Sequence, residues 1–280
     1  MVEYNAPIRD YDFLFNEMFD AIPIAQRLGY DFDSDFLSML SEGWADHAKE
    51  VWLPINQLGD REGLKFNEGR ISMPPEFRSA YNSSREGGWL STACKPEHGG
   101  MGVPVFFQAV TWAEIGTSTN MAMSVLPALT LGVYDVLIEH GEKTLVDYFA
   151  THLASGEWSG TMCLTEPHAG TDLGIISTKA IPQDDGTYRV SGTKIFITYG
   201  EHDMTDNIVH LVLAKTPGAP EGTKGISLFL VPKFLPSEWE SGELVGISHE
   251  LCADDNGVSC SGSEEKMGIH ASPTCVMNFD

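Results

Sequence analysis

Residues Met162 to Leu173, MCLTEPHAGTDL, place a short apolar run, a Thr-Glu-Pro turn and an Ala-Gly-Thr-Asp loop directly after one another. A strand that ends in a loop of small residues brings backbone N–H groups close to a flat polar ligand. Gly170 is expected to supply the freedom to turn, and Thr165 and Thr171 to supply hydroxyls at the rim. Taken singly, TEP or AGTD is an ordinary polar turn. All twelve residues in this order point instead to a built site, and they also divide the chain: helical periodicity precedes them, strands and turns follow.

On the N-terminal side, Pro7 biases Ala6 away from helix. From Asp10, a candidate N-cap, apolar residues recur at Phe13, Leu14, Met18, Phe19 and Ile22, and Ile24 to Leu28 prolong the pattern past Pro23. A second helix is predicted from Ser34 to about Asn56, with Phe36, Leu37, Leu40, Trp44, Ala48 and Val51 on one side and Pro54 bending or ending it. Gly59 to Met73 is polar and reads as turns. Pro74-Pro75 open a short helix that passes Tyr81 and Ser84 and ends at Gly87-Gly88. The run LSTACKPEHGGMGVP that follows Trp89 holds too much Gly and Pro for a helix interior, and His98 within it reads as structural. Val105 to Thr117 is helical. Met121 to His140 is a long apolar helix, kinked at Pro127 and broad enough in apolar surface to be buried on more than one side. Glu142 to Leu153 is a further amphipathic helix. The aromatic residues of all these segments read as core.

On the C-terminal side, Ile175 to Ile181 and Tyr188 to Val190 bracket an Asp184-Asp185-Gly186 turn, a hairpin signal. KIFIT (Lys194 to Thr198), IVHLVLA (Ile208 to Ala214) and Ile226 to Val231 are rich in β-branched residues. Leu244 to Glu250 and Thr274 to Phe279 are two more candidate strands, and residues 252–265 read as a polar surface excursion. The fold class is therefore α+β: an all-α helical bundle over residues 1–157, then an antiparallel β-barrel or sandwich over 158–280.

Lys and Arg total 17 against 40 Asp and Glu, a formal charge of −23, which argues against nucleic acid and anionic membrane as partners because both need a basic face. The five cysteines form no CxxC pair and read as reduced thiols of a cytoplasmic protein. The nine histidines show neither HExxH nor metal-ligand spacing, so no metal site is expected. No run of about 18 apolar residues and no targeting segment is expected.

The stretch Met162 to Leu173 resembles the flavin-binding signature of the acyl-CoA dehydrogenase family, an MxLTEPxAGSD-type strand and loop lying along a flavin ring. His168 holds a variable position, and Thr171 stands where Ser is commoner. Pro96 to Gly100 resembles the family's PExxGG loop, and Gly192 to Gly200, GTKIFITYG, its GxKxWITNG-type strand. Gly200 to Pro232 and Lys266 to His270, with Ser272 and Thr274, resemble an enlarged branch that includes methylmercaptopropionyl-CoA dehydrogenases.

The resemblance implies FAD as cofactor. The backbone of Met162, Leu164 and Thr165, joined by the Thr165 side chain, would meet the polar edge of the flavin. Phe196 would pack on the ring where Trp is commoner, and Thr198 would neighbour its reactive N5 side. Gly170 and Thr171 would contact the pyrophosphate or the pantetheine of acyl-CoA, and Glu166 would belong to the turn rather than act as a base. The implied reaction is α,β-dehydrogenation of an acyl-CoA thioester, as in β-oxidation: a carboxylate takes the α-proton while the β-carbon passes a hydride to the flavin. In the family that carboxylate lies on a C-terminal helical bundle, which this chain is expected to lack, so no residue here takes the base's role and little turnover is expected from the chain alone. Electron-transfer flavoprotein as electron acceptor and a homodimer or homotetramer of the full-length protein are also implied. The same architecture serves acyl-CoA oxidases and flavin monooxygenases, and a truncated, non-catalytic interaction domain is a further reading. The intact LTEPHAGTDL and KIFIT blocks weigh against that last one.

Overall fold

Helix gives way to strand between Ser155 and Trp158 in the computed structural model, which describes residues 3–235, 239–240, 243–244 and 254–280. α1 (Ile8–Asp12) runs into a π-helical turn at Phe13–Met18, and Asp20, at a left-handed φ of 45°, breaks the run before α2 (Ala21–Arg27). Asp10 therefore lies inside a helix and is not its N-cap, while Pro23 falls in the first turn of α2, where its missing N–H is tolerated. The cap is Asp33, whose Oδ1 accepts the N–H of Phe36 at 2.9 Å and starts α3 (Ser34–His47).

α3, a π turn at Ala48–Trp52 and α4 (Leu53–Glu62) form one continuous rod. Pro54 does not end it: the wider turn just before takes up the missing donor, and the chain stays helical until Gly63. Where the sequence suggests only turns, β1 (Lys65–Asn67) and β2 (Arg70–Ser72) form a small hairpin anchored by buried Ile71. α5 (Pro75–Glu86) ends at Gly87 as expected, and the Gly- and Pro-rich run beyond it is irregular apart from one 3-10 turn at Pro96–His98. His98 is held there by Nδ1 at 2.8 Å from the Tyr134 hydroxyl. α6 (Val105–Val110) leads into α7 (Trp112–His140), and α8 (Lys143–Ser155) closes the helical part.

α7 breaks at Asn120 (φ −156°, ψ 91°), not at Pro127. The Asn120 side chain accepts the N–H of Met123 at 3.1 Å and donates to the Trp52 carbonyl at 3.2 Å, so it caps the next segment and ties it to the α3–α4 rod. α7 also corrects the expectation that no long apolar run exists: by length and composition it could cross a membrane, and 50% of that window is buried against the rest of the chain. At the centre, the rings of Trp44 and Trp112 stack at 4.9 Å and Trp52 meets Trp44 edge-on at 4.9 Å. Their indole N–H groups all find acceptors, on the Trp112 carbonyl, Ser84 Oγ and the Trp89 carbonyl, so this bulk is buried without stranded donors. One hydrophobic core runs from here through Ile197 and Tyr199 to Met277 and Phe279, so helices and strands share packing across residue 157.

The strands are β3 (Trp158–Cys163), β4 (Lys179–Pro182), β5 (Tyr188–Thr198), β6 (Asn207–Lys215), β7 (Ile226–Pro232), β8 (Phe234–Leu235), β9 (Trp239–Glu240), β10 (Glu243–Leu244), β11 (Asp254–Asp255), β12 (Val258–Ser263) and β13 (Thr274–Phe279). Seven of them form one sheet, ordered β12-β13-β5-β4-β6-β3 with β7 also on β6; β8 pairs β11 and β9 pairs β10. The sheet is mixed, not purely antiparallel. β3 runs parallel to β6 from Trp158–Asn207 to Cys163–Val212, because the β4–β5 hairpin between them is a connection long enough to bring the chain back in the same direction. β6 lies between β3 and β7 and is buried over most of its length, which explains why IVHLVLA is nearly continuous in apolar residues rather than alternating.

The Asp184 to Gly186 hairpin forms as expected, with Asp185 Oδ1 accepting from the N–H of Thr187 at 2.9 Å. Its first strand starts at Lys179 rather than Ile175, since Leu173–Ile175 is a 3-10 turn. Residues 258–263 are not a surface excursion: Val258 and Cys260 are buried while Ser259 and Ser261 are exposed, the alternation of a strand with one face on the core. Of the predicted strand Leu244 to Glu250 only Leu244 lies within the described residues, and Cys252 lies outside them. Cys94, Cys163, Cys260 and Cys275 are buried free thiols.

Candidate functional site

The end of β3 is stitched to β5. The Thr165 carbonyl accepts the N–H of Ile195 at 2.9 Å, and the Leu164 carbonyl accepts Lys194 Nζ at 3.1 Å. The turn that follows closes on itself, because Glu166 and Ala169 exchange backbone hydrogen bonds at 2.9 and 3.0 Å. Beneath it the Glu166 carboxylate is saturated. It accepts Ser177 N at 2.6 Å, Ser177 Oγ at 2.8 Å, Thr178 N at 3.0 Å, the Thr178 hydroxyl, and Lys194 Nζ at 2.9 Å.

Both members of the Glu166–Lys194 pair are buried. Burial alone would raise the Glu166 pKa, but the bonds from Thr178, Ser177 and Lys194 outweigh it and hold the carboxyl at about 2. Burial lowers the Lys194 pKa and the attraction of Glu166 opposes that. With five donors converging on the carboxylate, the geometry supports the ionised pair. Such a carboxylate has neither the basicity nor a free lone pair for proton abstraction. Glu166 is a structural residue of the turn, as the resemblance implied.

Outward of this clamp, β5 carries one extra residue relative to β13: Ile197 pairs Cys275, but the next pair is Lys194 with Met277. The bulge falls at Phe196, whose backbone is left-handed at φ 60° and which is 56% exposed as a residue. A bulky residue in that region costs on the order of 1–2 kcal/mol. Thr198, half-buried, pairs Thr274 just beyond the bulge, and Met162, Leu164 and Thr165 are half-buried along the neighbouring edge. Gly170 and Thr171 lie farther along, exposed on the loop that Asp172 steadies by accepting Gly174 N at 2.9 Å. Gly170 is not needed for the turn. Its backbone is not left-handed, and a Cβ there would meet nothing within 4 Å.

The structure thus brings Leu164 and Thr165 directly beside the Lys194–Phe196 segment and sets Gly170 and Thr171 on the adjoining rim. Sequence reasoning missed Lys194, Ser177 and Thr178. Lys194 carried a signal, a lone charge opening an otherwise apolar strand, whereas the serine and threonine looked like any others. Among the described residues no three His, Cys, Asp or Glu are grouped to hold a metal ion. What the surface offers is an exposed aromatic ring, half-exposed hydroxyls and an irregular strand edge, all held on a saturated buried ion pair.

Residues 161–280 match the family described as acyl-CoA dehydrogenase, middle domain. The 3-methylmercaptopropionyl-CoA dehydrogenase of Ruegeria pomeroyi is 41% identical over 99% of this chain and 45% of its own length. A butyryl-CoA dehydrogenase of Syntrophomonas wolfei is 36% identical over 97% of this chain and 43% of its own. The chain spans less than half the length of these curated relatives. In fold, the acyl-CoA dehydrogenase of Geobacillus kaustophilus superposes with a TM-score of 0.67 over 89% of this chain and 56% of that one, at 24% identity. That shared architecture shows the fold, and the signature read along β3 and β5, the matched middle domain and these relatives show that the chain belongs to the acyl-CoA dehydrogenase family.

Proposed function

We propose that this chain forms the flavin-facing wall of an FAD-dependent acyl-CoA dehydrogenase that acts on the α,β carbons of an acyl-CoA thioester. The observation that carries the reading is Phe196, a bulky, exposed residue held in a left-handed bulge beside the Leu164–Thr165 edge. A flat aromatic ligand packed on that ring would gain about 0.5–1.5 kcal/mol beyond the area it buries. The exposed aromatic, the Thr165 and Thr198 hydroxyls and the open space over Gly170 are groups that would suit a flat, polar-edged flavin. When bound, FAD supplies the acceptor for the substrate's hydride. Phe196 and the backbone of Met162, Leu164 and Thr165 would hold the ring, the Thr198 hydroxyl would be the hydrogen-bonding group beside its reacting nitrogen, and Gly170 and Thr171 would leave room for phosphate or pantetheine. Glu166, held ionised with a pKa of about 2 and five donors on its oxygens, has too little basicity and no free lone pair to take the α-proton, so the base's role is not given to it.

The full-length protein is proposed to be a homodimer or homotetramer that passes electrons to an electron-transfer flavoprotein in the cytoplasm, where the four buried thiols stay reduced. The test is an FAD titration, followed by flavin fluorescence, of this chain and of a version extended by the remaining length of its relatives. Weak binding by the chain, and tight binding with bleaching by an acyl-CoA in the extended protein, is expected. No flavin binding by either would remove the enzyme reading and leave a non-catalytic interaction domain. Rapid reoxidation by oxygen would move it toward an oxidase.

A further inference from the structure

A cavity of about 380 Å³ lies between α4 and α7, with Asp60 and Arg61 on one wall, Met121 and Ala122 on the other, and Ile269 at its edge. Ile269 belongs to the Lys266–Ser272 segment and is a β-branched residue in the left-handed region, at φ 49°. Isoleucine adopts that backbone only where its surroundings force it. Met267 is fully solvent-exposed, whereas Ala271 and Ser272 are buried, so packing anchors only the end of the segment and what restrains Lys266 to His270 is polar. Lys266 Nζ donates to the Ser272 carbonyl at 2.6 Å, the Ser272 N–H donates to the Ile269 carbonyl at 2.9 Å, and His270 spans the rest.

His270 Nδ1 lies 2.6 Å from the Asp60 carbonyl oxygen, and its Nε2 lies 2.8 Å from the Lys266 carbonyl oxygen. Carbonyl oxygens only accept. A neutral imidazole has one N–H and one bare nitrogen, so it satisfies one of these contacts and sets a lone pair against the other oxygen; only the imidazolium satisfies both. We propose that His270 is a protonation-operated latch: with both ring nitrogens protonated it pins the Lys266–His270 stretch to α4 and holds Ile269 in place at the cavity edge, and on losing one proton it lets that stretch go while buried Ala271 and Ser272 stay packed.

The charged groups around the ring agree with this assignment. On α4, the Asp60 carboxylate stands 3.2 Å from Nδ1, favours the cation and is the stronger influence. Arg61 lines the same cavity from that helix. On the ring's own segment, Lys266 opposes the cation, but its ammonium is turned to the Ser272 carbonyl. The backbone contacts to Asp60 and Lys266, followed by the Asp60 charge, raise the His270 pKa above its ordinary value. Release therefore comes as pH rises through the upper part of the histidine range. The left-handed strain at Ile269 then favours the open form, and the cavity loses part of its wall. Buried Ala271 and Ser272 join this stretch to Pro273, whose carbonyl accepts the Tyr199 N–H at 2.9 Å, so the latch is tethered next to the Thr198 end of β5.

The test requires neither cofactor nor turnover, so it stands apart from the flavin reading. Ring nitrogen-15 spectra of the whole chain, labelled at histidine, should show His270 as the imidazolium at pH values where an ordinary exposed histidine is already half neutral. Hydrogen exchange of residues 266–270, corrected for intrinsic rates, should lose about tenfold protection between about pH 5.5 and 8.5, the worth of one hydrogen bond. His270→Gln, which can donate at one end of its amide and only accept at the other, should show the low protection at every pH. A bare His270 nitrogen throughout that range, protection without a pH step in the wild type, or the same step retained in His270→Gln would each overturn the proposal. Should His270→Gln fail to fold, the ring spectra and the wild-type pH series still decide.

Discussion

Phe196 and Tyr199 sit at the same end of β5, both aromatic and both left-handed, at φ 60° and 53°. Their surroundings are opposite. Tyr199 is 0% exposed, packed in the main core, with its hydroxyl donating to the Ala122 carbonyl at 2.7 Å; Phe196 is 56% exposed. At Tyr199 the backbone strain is offset by burial and a hydrogen bond. At Phe196 no comparable compensation is present among the described residues, and Lys194 and Ile197 on either side, locked into the sheet, hold the bulge. The difference teaches how to separate the two kinds of outlier: strain repaid by packing is architecture, and strain held in the open by its neighbours is a presented surface.

The largest effect should come from removing the support both residues share. Lys194→Met leaves the Glu166 carboxylate buried without its cation and should cost about 3–5 kcal/mol in urea unfolding, enough to leave much of the protein unfolded. A near-neutral result would mean the bulge does not depend on the pair.

Acid attacks the same layer by a different route. Burial, then the nearby Lys233, holds His202 and His210 at about 3, and hydrogen bonds hold Glu166 at about 2. Each is depressed below its unfolded value. The unfolded chain therefore binds more protons in the intervening range, and stability falls as pH drops from about 6.5 toward 3 for the histidines, and from about 4.5 toward 2 for Glu166. Thermal melts across that window should show a continuous decline, whereas a flat profile would mean that water or relaxation reaches the two histidines.

Next come the two aromatics themselves. Tyr199→Phe strands the Ala122 carbonyl and should lower stability by about 1–2 kcal/mol without touching the proposed flavin surface. Phe196→Gly relieves the left-handed strain at some entropic cost, so stability should stay within about 1 kcal/mol of wild type. The same change should weaken FAD binding to the extended protein by about tenfold, the worth of one aromatic contact of this kind. Equal stability losses at the two positions would collapse the distinction between them. Smallest is Gly170→Ala. A Cβ there meets no protein atom, so unfolding should be unchanged, and any loss in an FAD or acyl-CoA titration would report a ligand close to that backbone.

Legibility in the sequence followed the range of the interactions. The helix at Pro75, the hairpin at Asp184 to Gly186 and the switch near residue 157 depend on local chemistry and could be read from it. The π turns at Phe13–Met18 and Ala48–Trp52 could not, because they answer to partners far along the chain, and so Pro54 looked like a stop and Asp10 like a cap. Asn120 replaced Pro127 as the break for a similar reason: its side chain is drawn to the Trp52 carbonyl. The serines and cysteines of 258–263 seemed too polar for a sheet, but alternation mattered more than composition. Within the candidate site, motif order located the outward residues, while the clamp of Ser177, Thr178 and Lys194 under Glu166 became visible only once the strands were assembled.

The parallel pairing of β3 with β6 bears on the order of folding. β3 is made early, yet its partner lies beyond the whole β4–β5 hairpin, and contacts across such a span carry a loop-closure cost before they are rewarded. The Leu164–Thr165 edge needs β5 as well, through Ile195 and Lys194. During synthesis the helical half can therefore consolidate around its tryptophans while the last strand before the loop waits without a partner. The Leu164–Thr165 edge is among the last parts of the molecule to take shape, and a chain halted before Asn207 would leave β3, an edge strand even in the finished sheet, without its β6 partner and open to neighbouring chains on both sides.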